Sequence, residues 1–297
     1  MRINPKEIKT GELHSFMLHS IAPRPIAFAS TVDKNGKPNL SPFSFFNAFG
    51  SKPPIVVFSP ARRVRDNTTK HTLENVYETK EVVINVVNYA IVQQASLSSC
   101  EYPKGVNEFE KAGLTPIASE MVKPFRVKES PVQMECKVLQ VIETGDQGGA
   151  ANLIVCEILL MHIDDSVLNE EKKMIDENKI DLVARMGGDY YCRASGNALF
   201  RVAKPNLKLG IGIDSIPENI RHSHVLSGND LGKLGNVENL PSAEELTEFV
   251  KQDEVKKLRE ALQKDMTNSE LAVQLAAKKL LAENKIEDAW KILLMKL

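Results

Sequence analysis

Between Ser30 and Asn75 the chain reads STVDKNGKPNLSPFSFFNAFGSKPPIVVFSPARRVRDNTTKHTLEN, short apolar runs alternating with turn residues and with groups able to meet an anion. Asp33-Lys34-Asn35-Gly36 separates the apolar Ile26–Val32 from the segment Asn39–Phe46. Asn-Gly tolerates the positive φ that a tight turn demands, so the two segments are predicted to pair as a β-hairpin. Ser41, Ser44 and Asn47 interrupt the apolar run SPFSFFNAF, placing hydroxyl and amide groups where a plain core strand would carry Val or Ile. A polar partner is expected there. Ile55–Phe58 follows as a short buried-strand signal.

Next come Ser59-Pro60-Ala61-Arg62-Arg63-Val64-Arg65 and Asn67-Thr68-Thr69-Lys70-His71-Thr72, the latter leading into LENVYET. Thr72 is predicted to cap a short helix. A helix N-terminus offers unpaired N–H groups and partial positive charge, so Ser59, Arg62, Lys70 and Thr72 together suit a phosphate monoester. The same residues also read as a basic, solvated loop with an ordinary cap. No Gly-rich phosphate loop accompanies them, and Glu74 in the first turn opposes an anion.

Taken in order, PRPIAFASTVDKNGKPNLSPFSFFN, KPPIVVFSPAR and KHTLENVYETKEVVINVV resemble the flavin reductase-like family. Phe109-Glu110-Lys111-Ala112-Gly113-Leu114, Glu129-Ser130-Pro131-Val132-Gln133-Met134-Glu135-Cys136 and Arg185-Met186-Gly187-Gly188-Asp189-Tyr190 continue the series, over roughly residues 10 to 205. The resemblance implies a mainly β fold with added helices, an FMN-binding split β-barrel. It also implies an FMN-dependent oxidoreductase, specifically an NAD(P)H:flavin reductase. Hydride would pass from nicotinamide to flavin N5 across about 3–3.5 Å.

On that resemblance Ser44, Phe46, Asn47 and Ala48 orient the ring, and Ser59, Arg62, Lys70, His71 and Thr72 surround the phosphate. Arg24, between Pro23 and Pro25, approaches the ring, while Arg185 and Tyr190 flank the pliant Gly187-Gly188 and reach toward the cofactor. Many family members carry a histidine where this chain has Arg185 or Met186, a departure that puts any histidine-dependent nicotinamide contact in doubt. A homodimer with flavin near the subunit boundary is implied, and the resemblance extends to proteins that serve a partner oxygenase. Two alternatives stay open. One is a flavoredoxin-like electron carrier without NAD(P)H activity; the other is a flavin-binding module whose C-terminal helices dock a partner.

Composition narrows the remaining classes. With 297 residues, 42% of them hydrophobic, the chain can bury one large or two modest cores. Lys+Arg 38 against Asp+Glu 39 gives a net charge of −1, without the basic field of nucleic-acid binders. The N-terminus lacks the apolar core of a signal peptide. The most apolar run, Leu153–Met161, contains Glu157 and is too short to span a bilayer, so no membrane role is expected and the location is expected to be cytoplasmic. Cys100, Cys136, Cys156 and Cys192 stand far apart, read as reduced, semi-buried core residues, with neither zinc nor disulfide spacing. His222 and His224 read as surface residues. No catalytic triad order or buried carboxylate pair is visible, which suits a chain whose cofactor carries the chemistry.

Residues 1–24 read as a lead-in. Glu81–Asn88 is predicted as a buried strand, Tyr89–Ser99 as a helix or turn, and Cys100–Val122 as loop around one helical turn. Glu135–Thr144 and Ala151–Asp164 flank the Gly-rich 145–149 as a long hairpin that closes the barrel. The barrel domain is placed at 1–205, an irregular linker at 206–241 and a helical segment at 242–297. Ser242, and then Thr267 or Asn268, are predicted caps. Ile286, Trp290, Leu293, Leu294 and Leu297 form an apolar stripe expected to bury against the barrel or across a dimer.

Overall fold

A computed structural model describes residues 1–205, 208–264 and 269–295. The chain divides into two units, Met1–Phe200 and Arg201–Leu297.

The first unit opens with α1 (Thr10–Ser20), where a plain lead-in was expected. β1 (Ala27–Val32) and β2 (Pro38–Phe43) form the expected hairpin, with Val32 opposite Pro38. Its turn is held by Asp33 Oδ1, which accepts from the Asn35 and Lys37 N–H groups, and Gly36 sits at φ 81°, where Cβ would be strained. β3 (Phe46–Ser51), β4 (Pro54–Phe58), α2 (His71–Thr79) and β5 (Glu81–Val86) follow. Then come α3 (Val92–Leu97), α4 (Glu108–Ala112), the two-residue β6 (Pro116–Ile117) and β7 (Arg126–Val127), and the long hairpin β8 (Val132–Glu143) and β9 (Asn152–Ile163). A small antiparallel pair, β10 (Leu182–Arg185) and β11 (Tyr191–Ala194), ends the unit.

Seven strands pair in the order β2-β1-β5-β8-β9-β4-β3. β2 and β3 are therefore the outer edges, yet only Ser44 and Phe45 join them. So short a link spans at most roughly 10 Å, and the sheet has to curl until its edges nearly meet. The result is a barrel split at Ser44–Phe45. On the β3 side of the split the β3–β4 ladder runs one rung further, the Ser59 N–H donating to the Phe45 carbonyl at 2.9 Å.

Inside the barrel, Ala27 and Ala29 of β1 leave room for Phe43, Phe58, Ile84, Met134 and Ile154. The Phe43 and Phe58 rings lie 5.6 Å apart. The other face of β1 is buried too: Phe28 packs with Leu40, Phe109 and Val183 beneath α3 and α4. A strand covered on both faces loses the polar alternation of a half-exposed one, and all six β1 residues are buried.

The helix α2 corrects one expectation. Lys70, not Thr72, is its N-cap, and no side chain caps it. Thr72 is buried inside the first turn, its hydroxyl accepting from Asn39 Nδ2 at 2.9 Å. Asn39 also reaches Thr31, whose hydroxyl accepts from Asn75 at 3.0 Å. This buried network ties α2 to the hairpin, and burial of so many polar atoms is tolerable only because they satisfy one another. Cys136 and Cys156 are buried in the barrel, but Cys100 is exposed, correcting its placement as a semi-buried residue.

The second unit corrects the reading of residues 206–241 as an irregular linker. That stretch holds α5 (Glu218–Arg221) and α6 (Gly228–Gly235), followed by α7 (Ala243–Val250), α8 (Asp253–Lys264), α9 (Ser269–Ala282) and α10 (Ile286–Leu294). Ser227 with Asp230, and Ser242 with Glu245, form reciprocal capping boxes at α6 and α7. The expected caps Thr267 and Asn268, and Leu297 of the stripe, lie outside the described residues. Trp290 and Leu293 are buried among Ile216, Ile220, Leu226, Leu234 and Leu281, and Trp290 Nε1 donates to the Leu234 carbonyl at 3.0 Å. The stripe is thus covered by helices of its own unit, and the supposed linker supplies much of the cover.

Candidate functional site

Two cavities meet at the barrel split, and Pro42 and Ser44 line both. The larger, about 650 Å³, has three walls. Ser59, Arg62, Arg63 and Lys70 form a cationic, hydroxyl-bearing wall after β4; Pro42, Phe43, Ser44 and Phe45 form the floor at the split; Leu13, His14 and Met17 of α1 form an apolar cover. His14 meets the Phe45 ring edge-on at 6.0 Å.

The cations of this cavity are not equivalent. Arg63 is paired with Glu101 at 3.0 Å and bonds Thr68 and the Thr69 carbonyl. Arg62 is aimed by neutral partners, the Asn67 side-chain and main-chain oxygens at 2.7 and 2.8 Å. Lys70 Nζ has no hydrogen-bond or ion-pair partner among the described residues. Burial, and then the charge of Arg63, lowers the Lys70 pKa. Beside the uncapped start of α2, Arg62 and Lys70 therefore bring positive charge to the cavity without an ion-paired carboxylate among the described residues, although the charges of Glu101 and Asp66 act on Lys70 from further off. Glu74 does not oppose this, because Lys104 meets its carboxylate at 2.5 Å. Ser59 is oriented by the Asn152 N–H, which donates to its hydroxyl at 3.2 Å.

The smaller cavity, about 350 Å³, lies on the other side of Ser44. Ile26, Val92 and Ala95 make its apolar base, while Ser96, Ser99, Arg185, Asp189 and Tyr191 make its polar rim. Arg185 lies over the Tyr191 ring, 4.6 Å from its centroid, and donates to the Gly188 carbonyl at 2.7 Å.

Arg24 lies behind this junction. It is buried, and it donates to the Leu18 and Ile21 carbonyls at 2.6 and 2.7 Å and to the Met186 carbonyl at 2.8 Å; Ser44 Oγ is 3.5 Å from its Nε. Burial, and then the neighbouring Arg185 charge, lower its pKa. Its guanidinium is committed to holding the end of α1 and the β10–β11 turn.

Of the sequence-predicted residues, Ser44, Ser59, Arg62 and Lys70 converge on the larger cavity, and Ser44 and Arg185 on the smaller. His71 and Thr72 follow Lys70 but line neither of these cavities; burial lowers the His71 pKa. Phe46, Asn47 and Ala48 lie on the edge strand β3, outside both cavities, and Asn47 Oδ1 accepts from the Ala48 N–H. Tyr190 is 77% exposed and outside both, and its neighbour Tyr191 occupies the rim. Sequence reading passed over Tyr191, Ser96, Ser99 and the α1 cover. The paired Tyr190-Tyr191 was the available signal for the first, since successive strand side chains take opposite faces. α1 has only weak amphipathic patterning.

A family model described as a flavin reductase like domain matches residues 18–179, more than half of the chain. An uncharacterised protein of Aquifex aeolicus is 39% identical over 197 residues, 66% of this chain and 97% of its own length. Among solved structures, nitrilotriacetate monooxygenase component B from Bacillus cereus is similar at TM-score 0.63 and 27% identity, covering 68% of this chain and 98% of that one. A protein from Shewanella frigidimarina assigned as a flavin reductase with a split barrel domain is similar at TM-score 0.57 and 28% identity, covering 69% and 99%. These relatives are matched over nearly their whole length by about two thirds of this chain. Among the described residues, no helix is long and apolar enough to cross a membrane.

Proposed function

Because this chain belongs to the flavin reductase-like domain family, a flavin-related oxidoreductase, we propose that its larger cavity binds FMN and that it is an NAD(P)H-dependent flavin reductase. The observation that carries the reading is the pair Arg62 and Lys70, two cations without carboxylate partners on the wall of a cavity whose other walls are apolar and aromatic. Such a donor set fits a ligand with a planar ring at one end and a phosphate at the other.

In this arrangement Lys70, Arg62 and Ser59 hold the phosphate, and Phe43, Ser44 and Phe45 bear on the ring. Leu13, His14 and Met17 exclude water from above. Arg24 keeps α1 and the Gly187–Gly188 turn in place, and so positions Ser44 without spending its own charge on the ligand. A bound flavin would supply the hydride and single-electron chemistry that no side chain here provides.

Phe46, Asn47 and Ala48 fit the reading through a second subunit. β3 is an unpaired sheet edge with Phe49 68% exposed, the kind of edge that pairing with another copy covers. A homodimer would place these three residues at the subunit boundary. The nitrilotriacetate monooxygenase component among the similar structures supports an oxygenase as a further partner.

The visible spectrum of the purified full-length chain tests the cofactor: oxidised-flavin absorption after loading with FMN, bleached under anaerobic NADH or NADPH, is expected. Flavin absorption without bleaching would instead indicate an electron carrier served by another protein. Absence of any FMN binding would remove the reading, and a monomeric mass by light scattering with flavin bound would remove the dimer.

A further inference from the structure

The smaller cavity has a chemistry different from that of its neighbour. At about 350 Å³ it stands at the lower end of the range of small-molecule pockets, roughly 300–1,000 Å³. That is room for one ring and its substituents, not for a whole dinucleotide. Its base, from Ile26, Pro42, Val92 and Ala95, is apolar.

Its rim is dominated by one positive group. Arg185 has no carboxylate partner among the described residues; its contacts are the Gly188 carbonyl and the face of Tyr191. The Arg24 guanidinium behind it is likewise bonded only to carbonyls and to Ser44, and the two arginine charges act on one another. Arg24 does not line the cavity, but its charge disfavours that of Arg185, and an anion on Arg185 would relieve the repulsion. Ser96 and Ser99 bring hydroxyls to the same rim. Asp189, exposed at the rim, is the one acidic lining group and works against an anion.

We propose that this cavity binds a compact aromatic carboxylate. The ring would rest on the Ile26–Val92–Ala95 base beside Tyr191, and the carboxylate would lie on Arg185 with the Ser96 hydroxyl as a further donor, the Ser99 hydroxyl being given to the Ser96 carbonyl at 2.6 Å. A guanidinium fork matches a carboxylate in geometry as well as charge, and a ring packed against the apolar base adds what a bare inorganic anion lacks. The site shares Pro42 and Ser44 with the larger cavity, so the ligand would lie edge to edge with whatever occupies that cavity. The proposal rests on the flavin reading for the identity of that neighbour.

Calorimetric titration of the full-length protein with benzoate, benzamide and inorganic phosphate, with and without FMN, tests it. Benzoate is expected to bind at least tenfold more tightly than either of the others. Arg185→Gln should weaken benzoate about tenfold or more, Arg185→Lys less, and Asp189→Asn should strengthen it. FMN affinity, read by flavin fluorescence in the same variants, should change little. Equal affinity for benzoate and benzamide, or benzoate binding indifferent to both Arg185→Gln and Asp189→Asn, overturns the proposal and leaves FMN binding as a separate measurement. Phosphate binding as tightly as benzoate would show a plain anion site and overturn the aromatic assignment.

Discussion

Arg24 and Arg185 exchange both backbone hydrogen bonds, Arg24 N–H to the Arg185 carbonyl at 2.9 Å and Arg185 N–H to the Arg24 carbonyl at 2.8 Å. Residues far apart in the sequence are thereby locked as neighbours, and their side chains take different work. Arg24 turns inward onto the Leu18, Ile21 and Met186 carbonyls, whereas Arg185 turns to the rim of the smaller cavity. A buried guanidinium serving three carbonyls is a structural fastening between α1 and β10.

Arg24→Ala should therefore cost stability before it costs chemistry. Three acceptors lose a charged donor, and a single such loss is worth about 1.5–3 kcal/mol. A melting temperature several degrees lower is expected, with Arg24→Lys falling between because an ammonium cannot span the same three carbonyls. An unchanged melting curve for Arg24→Ala would show that the fastening does not matter.

Lys70 and Thr72, two positions apart in sequence, should separate cleanly by experiment. Lys70→Ala should weaken FMN by about 1.5–3 kcal/mol, roughly ten- to a hundredfold, while riboflavin, lacking the phosphate, is hardly affected. Thr72→Ala removes the acceptor for buried Asn39 and should lower the melting temperature, leaving the FMN-to-riboflavin ratio unchanged. Titration of both flavins against both variants decides it, and a Lys70→Ala variant that loses both equally would refute the phosphate role.

The lowered Lys70 pKa sets a direction in pH. Burial and Arg63 both disfavour the ammonium, so it loses its proton below the ordinary lysine value of 10.5. Lys70 holds phosphate only while charged. FMN affinity should therefore be fully developed below that lowered pKa and decline as pH rises through it, with a proton taken up on binding in that range. Lys70→Arg should move the decline to higher pH, and riboflavin should show none. An FMN affinity that stays level from neutral pH to 10.5 would count against Lys70 as the anchor.

Two truncations test the boundary of the helical unit. A chain ending at Asn239 would strand Ile216, Ile220, Leu226 and Leu234 without α9 and α10, and each large buried side chain is worth roughly 1.5–3 kcal/mol. That chain is expected to aggregate or to be trimmed back by protease. One ending at Phe200 removes the whole unit and is expected to stay soluble and to bind FMN. Identical behaviour of the two in a proteolysis and melting series would argue that residues 201–239 do not belong to the helical core.

What the sequence settled alone was local. The Asp33–Gly36 turn is legible because Asn-Gly chemistry acts within four residues, and the β8–β9 hairpin because its two apolar runs flank one Gly-rich turn. The convergence of Ser59, Arg62 and Lys70 was legible for the same reason, all three lying within a dozen residues. Other placements depended on distant partners. Thr72 looked like a cap until Asn39, brought alongside by the hairpin, claimed its hydroxyl. Tyr190 and Tyr191 are chemically identical choices, and only the pairing of Arg185 with Tyr191 across β10 and β11 decides which one faces the cavity. The stripe on α10 announced that it must be buried, but a hydrophobic face does not say against what, since apolar attraction has no direction. Its cover came from Ile216 to Leu234, whose Gly- and Asn-rich setting reads as a linker until the helices pack. Likewise, neither cavity exists before the curl of the sheet brings β2 and β3 together across Ser44–Phe45, because each wall comes from a different part of the chain.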